Sequence, residues 1–180
     1  MTTYIALLRG INVGGHKKIK MADLRSILED SGLERVRTYI QSGNVVFDSE
    51  EKNTQNLEIQ ISETIKEHYD FEVPVLIKTR NEILRVLEDN PYTDRNELSE
   101  NKIYFVLLQD SPEEDKVKEL SNYKFENETF TYTPNCVYLR CALGAGKAKC
   151  GIGFFESKLK VSATSRNYRT LQKLIELSSN

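Results

Sequence analysis

The feature that most constrains this chain is an order of apolar runs that occurs twice. Tyr4 to Leu8 has the unbroken apolar character of a buried strand, and Met21, Leu24, Ile27 and Leu28 then recur at helical spacing up to a stop at Ser31-Gly32. Two β-rich runs follow, Val36 to Ile40 and Val45 to Phe47, joined by Gln41-Ser42-Gly43-Asn44, where Gly43 can supply positive φ for a hairpin. Asn53 is placed to cap a helix carrying Leu57, Ile61 and Ile65, and Val73 to Ile77 reads as the next strand. The order is β-α-β-β-α-β.

A helix around Asn81 to Leu87 and the polar stretch "NPYTDRNELSEN" separate this pass from a second one. Ile103 to Leu108 reads as its first strand, and Ser111-Pro112-Glu113-Glu114 has the N-cap, first-turn Pro and capping-box Glu of a helix start. Strands at Thr129 to Thr133 and Cys136 to Arg140 flank Pro134-Asn135, and a last strand is expected near Lys160 to Ser162. The two hairpins overlay with Thr38-Tyr39-Ile40 on Thr131-Tyr132-Thr133 and Asn44 to Phe47 on Asn135 to Tyr138. This predicts an α+β chain of two tandem ferredoxin-like, split βαβ units, with mainly antiparallel sheets and helices on one face. The expected domains are residues 1–79, and 80–180 for the linking helix with the second unit.

A repeat also measures how much connection the fold needs. The second unit links its first strand to its helix through Gln109-Asp110-Ser111-Pro112, whereas the first unit spends Arg9 to Lys20 on the same step. Long connections inside small domains are more often functional than idle. This one holds Gly10, Gly14 and Gly15, which let backbone N–H groups turn toward an anion, and Arg9, Lys17, Lys18 and Lys20, which supply charge. The net charge of −2 conceals this concentration, because no acid occurs from Met1 to Lys20, and six cations face Glu156 alone from Cys141 to Thr170.

The last helix is expected to start at Thr164-Ser165-Arg166-Asn167-Tyr168-Arg169. That would place Arg166 and Arg169 in a first turn, where the helix dipole disfavours cations unless an anion sits there. Candidate ligand-binding residues are therefore Arg9, Gly10, Asn12, Gly14, Gly15, His16, Lys17, Lys18, Lys20, Arg166, Asn167 and Arg169. Gln41, Ser42 and Asn44 either satisfy the hairpin turn or join that site. In such a unit the turn is expected opposite the exit of the first strand, which weakens the second role.

Several chemistries find no support. Asn12 stands where a dinucleotide-binding G-x-G-x-x-G needs Gly, and "GAGKAKC" lacks the first Gly and the Ser or Thr of a P-loop. Cys136, Cys141 and Cys150 form no C-x-x-C, and His16 and His68 lie far apart, so neither a metal nor any other cofactor is expected. No RNP1-like block accompanies the strand tyrosines. His16 could move protons near neutral pH, and Lys147 and Lys149 could lower the pKa of Cys150, but no triad spacing organises either, so catalytic residues stay unassigned. No apolar run is long enough to span a membrane and no signal-peptide pattern opens the chain, so a cytoplasmic protein without a membrane partner is expected.

"YIALLRGINVGGHKKIKMADLR", "VRTYIQSGNVVF" and "TSRNYRTLQKLIEL" resemble the signature blocks of a widespread, mainly bacterial family, domain of unknown function 1697. Tyr168 stands where that family commonly carries Trp. The resemblance implies two ferredoxin-like α/β units and supplies no activity, substrate or catalytic residue. From the residues themselves, the expected function is binding of a phosphate-bearing small molecule or nucleic acid by the basic glycine-rich loop and a basic helix N-terminus. A protein-interaction or assembly module, including a homo-oligomer, and an enzyme acting on a small phosphorylated substrate are the alternatives.

Overall fold

In the first sheet, β1 (Thr2–Leu8) lies between β3 (Asn44–Ser49) and β4 (Val75–Thr79), with β2 (Glu34–Tyr39) outside β3. This is a computed structural model, and it describes residues 1–179. Every neighbouring pair in the sheet is antiparallel, with Leu7 opposite Asn44 and Leu76. The helices α1 (Met21–Asp30) and α2 (Thr54–Tyr69) cover one face. They bury Leu24, Ile27, Leu28, Leu57, Ile61 and Ile65 against Tyr4, Ala6, Leu8, Val45, Phe47 and Ile77. Strand alternation leaves Ile5, Leu7, Val46 and Leu76 on the opposite face, where they are also buried.

The helix signals work as the local chemistry dictates. Asn53 Oδ1 accepts the Gln55 N–H at 3.0 Å and starts α2. The end of α1 is closed by Gly32 at φ +97°, with the Leu33 N–H returning to the Leu28 carbonyl at 3.2 Å.

The second sheet repeats the first, in the order β6 (Glu128–Thr133), β7 (Cys136–Cys141), β5 (Ile103–Leu108), β8 (Ala163–Asn167), again wholly antiparallel. Its covering helices are α5 (Glu114–Leu120) and α6 (Ile152–Leu159), which bury Leu120, Phe155 and Leu159 against Val106, Leu108, Val137 and Leu139. In both repeats the last strand runs straight into a further helix: β4 into α3 (Arg80–Glu88), and β8 into α7 (Tyr168–Leu177). The short α4 (Arg95–Ser99) precedes β5. The chain forms two compact units, one of residues 1–84 with 173 onward and one of residues 85–172.

Five expectations need correction. The last strand is Ala163–Asn167, not a segment near Lys160 to Ser162, and the final helix starts at Tyr168. Helix α5 starts at Glu114 behind Glu113, not behind Ser111. The Gln109 N–H continues the sheet by donating to the Ser162 carbonyl at 2.9 Å, so residues 110–113 are needed to turn the chain. The hairpin overlay slips by one: Tyr39 and Asn44 occupy the places of Thr133 and Cys136. That slip moves Tyr132 to the helix-covered face, while Tyr39 lies on the other. Lastly, the β2–β3 turn lies at the same end as the exit of β1, because β1 and β3 are antiparallel neighbours.

Candidate functional site

Within the first unit, the loop from Arg9 to Lys20 is ordered by its own side chains. Ile11 and Ile19 are buried and anchor its two ends in the core. Asn12, at φ +55°, rivets it: Nδ2 donates to the Ile19 carbonyl at 3.0 Å and to the Gln41 carbonyl at 2.8 Å, while Oδ1 accepts the Ile19 N–H at 2.9 Å. The Asn12 N–H also bonds the Lys17 carbonyl at 3.1 Å. The side-chain amide and backbone N–H of Asn12 thus hold the loop together and tie it to the β2–β3 turn, and Asn12 also borders the cleft beside it.

The β2–β3 turn is built into the same structure. The Gly43 carbonyl accepts the Leu8 N–H at 2.8 Å. At φ +81°, a Cβ on Gly43 would come within 2.6 Å of the Leu8 Cβ, so only glycine fits. Asn44 is fully buried and its Nδ2 donates to the Tyr39 carbonyl and Ser42 Oγ, both at 3.0 Å. The structural role considered for Asn44 is therefore observed, while Gln41 reaches the cleft.

The cleft has a volume of about 620 Å³ and is bordered by Gln41, Lys18, Lys20, Met21, Asp23 and Tyr69, with Gly15 at its edge. Lys20 occupies the N-cap position of α1 and makes no side-chain cap, so the first N–H groups of that helix are left without one. Lys18 and Lys20 are exposed. Burial raises the phenol pKa of Tyr69, with a smaller push from the Asp23 carboxylate. Met21, Asp23 and Tyr69 were not among the sequence candidates. Tyr69 closes a helix far along the chain, and only folding reveals that it borders this loop.

The remaining candidates are placed differently. Lys17 has its ammonium committed, donating to the Glu72 carbonyl at 2.6 Å and lying 5.9 Å from the Phe71 ring centre. Arg9 is half-buried and its N–H donates to the Pro74 carbonyl at 3.0 Å. Gly10 and Gly14 lie along the exposed loop, and His16 forms a tight turn through its N–H to the Val13 carbonyl at 3.0 Å. Among the described residues, no carboxylate or nucleophile bonds to the His16 ring.

Arg166, Asn167 and Arg169 belong to the second unit. Arg166 is not at a helix start: it lies on β8, is 8% exposed, and donates to Thr164 Oγ1 at 2.9 Å and the Ser165 carbonyl at 2.8 Å. Burial holds its pKa down to about 10. Asn167 caps α7 by accepting the Thr170 N–H at 2.9 Å, so the wrong-sign helix start reduces to the exposed Arg169. Cys150 is fully buried, and burial pushes its thiol up to about 12, the opposite of the lowered pKa suggested by its lysine neighbours. No helix among the described residues is long and apolar enough to cross a membrane.

The family model described as "Protein of unknown function (DUF1697)" matches residues 1–138. The solved structure of the conserved bacterial protein SP0830 from Streptococcus pneumoniae is similar at 26% identity and a TM-score of 0.76. The alignment covers 100% of this chain and 99% of that one. No curated protein matches.

Proposed function

Because the chain belongs to the DUF1697 family of proteins of unknown function, whose description assigns no chemistry, we propose from the site alone that it binds a small anionic ligand, phosphate-bearing and partly apolar. The observation that supports this reading is the uncapped N-terminus of α1 beside a cleft bordered by the exposed Lys18 and Lys20. Unsatisfied N–H groups and ammonium charge act together on an anion. Met21 and Tyr69 offer apolar surface for the rest of the ligand, and the volume falls in the range of small-molecule sites. Asp23 lies in the first turn of α1 and selects against a ligand whose charge extends along the cleft. That favours a small molecule carrying one phosphate group over a continuous nucleic-acid backbone.

The test is thermal unfolding against pyrophosphate, nucleoside monophosphates, phosphosugars, dicarboxylates and short RNA, at low and moderate salt. A ligand at about 100 times its Kd adds roughly 2.7 kcal/mol, a shift of several degrees for a chain of this size. A selective shift by a phosphate-bearing small molecule, lost in the Lys18→Ala/Lys20→Ala variant, is expected. An equal affinity in that variant, or a panel with no shift, overturns the reading. A shift confined to RNA, with a steep salt dependence, replaces the small ligand with nucleic acid.

A specific observation also favours assembly. Val13 and Ile40 are 64% and 50% exposed, and each is next in sequence to a partner of the Asn12–Gln41 hydrogen bond. Ile40 also holds φ +50°, a costly conformation for a β-branched residue. If this apolar pair is an interface, Val13→Ser with Ile40→Ser dissociates an oligomer seen by sedimentation, and a wild-type monomer at high concentration excludes it.

A further inference from the structure

A different cleft, in the second unit, is built around an acid. Helix α5 buries only Leu120, and the chain after it runs past the edge strand β6, leaving a cavity of about 450 Å³ between them. Tyr123, Phe125, Phe130 and Tyr132 border it, and Glu128 borders it as well. Glu128, Phe130 and Tyr132 alternate on β6 and therefore share the helix-covered face. Glu128 is 5% exposed, and among the described residues no hydrogen bond or ion pair engages its carboxylate, whose oxygens keep access to the cleft. A carboxylate that opens into an aromatic-lined cleft offers a charged partner to a cation entering it.

The surrounding walls suit a positive partner. The Phe125 and Phe130 rings are 6.5 Å apart and tilted by 59°. Phe154 and Phe155 back these two rings edge-to-face, at 5.2 Å and 5.3 Å respectively. Lys158 Nζ donates to the Tyr123 hydroxyl at 2.5 Å and so sits at the polar end of that ring, 4.4 Å from its centre, leaving the ring faces open. Lys124 is exposed where it borders the cleft and makes no ion pair with Glu128.

We propose that this cleft is a second binding site, taking an organic ammonium ion whose apolar substituents lie against the aromatic rings and whose charge pairs with Glu128. Aromatic faces attract cations through the ring quadrupole, and a carboxylate beside them strengthens that preference. The site is independent of the loop cleft of the first unit. Lys124 borders the same cleft, and its charge opposes a second cation there.

The test uses the full chain, benzyltrimethylammonium as probe and neopentylbenzene as its neutral isostere, with NMR shifts and tyrosine fluorescence as readouts. Saturable binding of the cation is expected, with the isostere at least about tenfold weaker, as one lost charge contact implies. Glu128→Gln should remove that preference, and Lys124→Gln should tighten cation binding. If Glu128→Gln fails to fold, the comparison of cation with isostere on the wild type decides. Equal binding of the two probes, or no saturable binding of the cation, overturns the proposal.

Discussion

The two repeats solve the same packing problem differently at the junction between their first helix and edge strand. In the first unit, α1 buries Leu24, Ile27 and Leu28, and Arg25 Nη1 donates to Thr38 Oγ1 on β2 at 2.6 Å. That junction is filled, and the cleft forms instead at the strand exit, where the long loop is riveted to the β2–β3 turn. In the second unit the exit is short, α5 buries a single residue, and the aromatic cleft opens at the junction itself. One topology therefore yields two clefts of different lining, one beside Lys18 and Lys20 and one among aromatic rings and Glu128, because each unit spends its extra residues in a different place.

The largest effect that could break this comparison comes from Gly43. Gly43→Ala combines left-handed backbone strain with the approach to Leu8 Cβ, and should cost about 3 kcal/mol or more in denaturant unfolding. Gly144→Ala in the second unit has a similar φ of +83° but nothing within 4 Å, so it should cost only about 1–2 kcal/mol. Equal losses would show that the β2–β3 turn is not packed against the loop exit.

Asn12→Ala comes next. It removes the hydrogen bonds to Ile19 and Gln41 and leaves alanine at a positive φ, an expected loss of about 2–3 kcal/mol. Hydrogen exchange should rise at Ile19 first, while the second unit keeps its protection. A loop as protected as the wild type would make Asn12 a ligand group after all, not a rivet.

A smaller effect concerns Glu97 and Arg140 in the second unit, where Arg140 Nε donates to both Glu97 oxygens at 2.8 Å. These hydrogen bonds are the main cause that holds the Glu97 carboxyl below its usual range. A depressed folded-state pKa gives stability that is present above the ordinary glutamate value and lost as pH falls through the folded value. The gap between wild type and Arg140→Met, at most about 1 kcal/mol for so accessible a pair, should thus be constant at neutral pH and close below the ordinary carboxylate range. Lys66–Glu72 in the first unit is more exposed on both sides, and its removal should change almost nothing.

Much of the fold was legible because its signals are local. The stripe of Leu24, Ile27 and Leu28, the Asn53 cap and the Gly32 stop each act within a few residues of chain, so their meaning survives without tertiary context. The order β-α-β-β-α-β, its repetition and the excess length of the Arg9 to Lys20 loop were equally open to reading. Where two local signals competed, reading failed: "SATSRNYR" carries both strand and helix-start features, and the edge position of β8 beside β5 decided it.

The candidate sites were legible only as composition. By itself the sequence determined that a basic, glycine-rich loop follows the first strand, and it raised no candidate around Tyr123, Phe125, Glu128 and Phe130. It could not say which lysine is already used, since Lys17 meets Glu72 and Phe71 across more than fifty residues of chain. Nor could it distinguish Arg166, buried on a strand, from Arg169, exposed on the next helix three residues later. Tertiary structure made those decisions, because burial and partner choice depend on which distant segments share a sheet face.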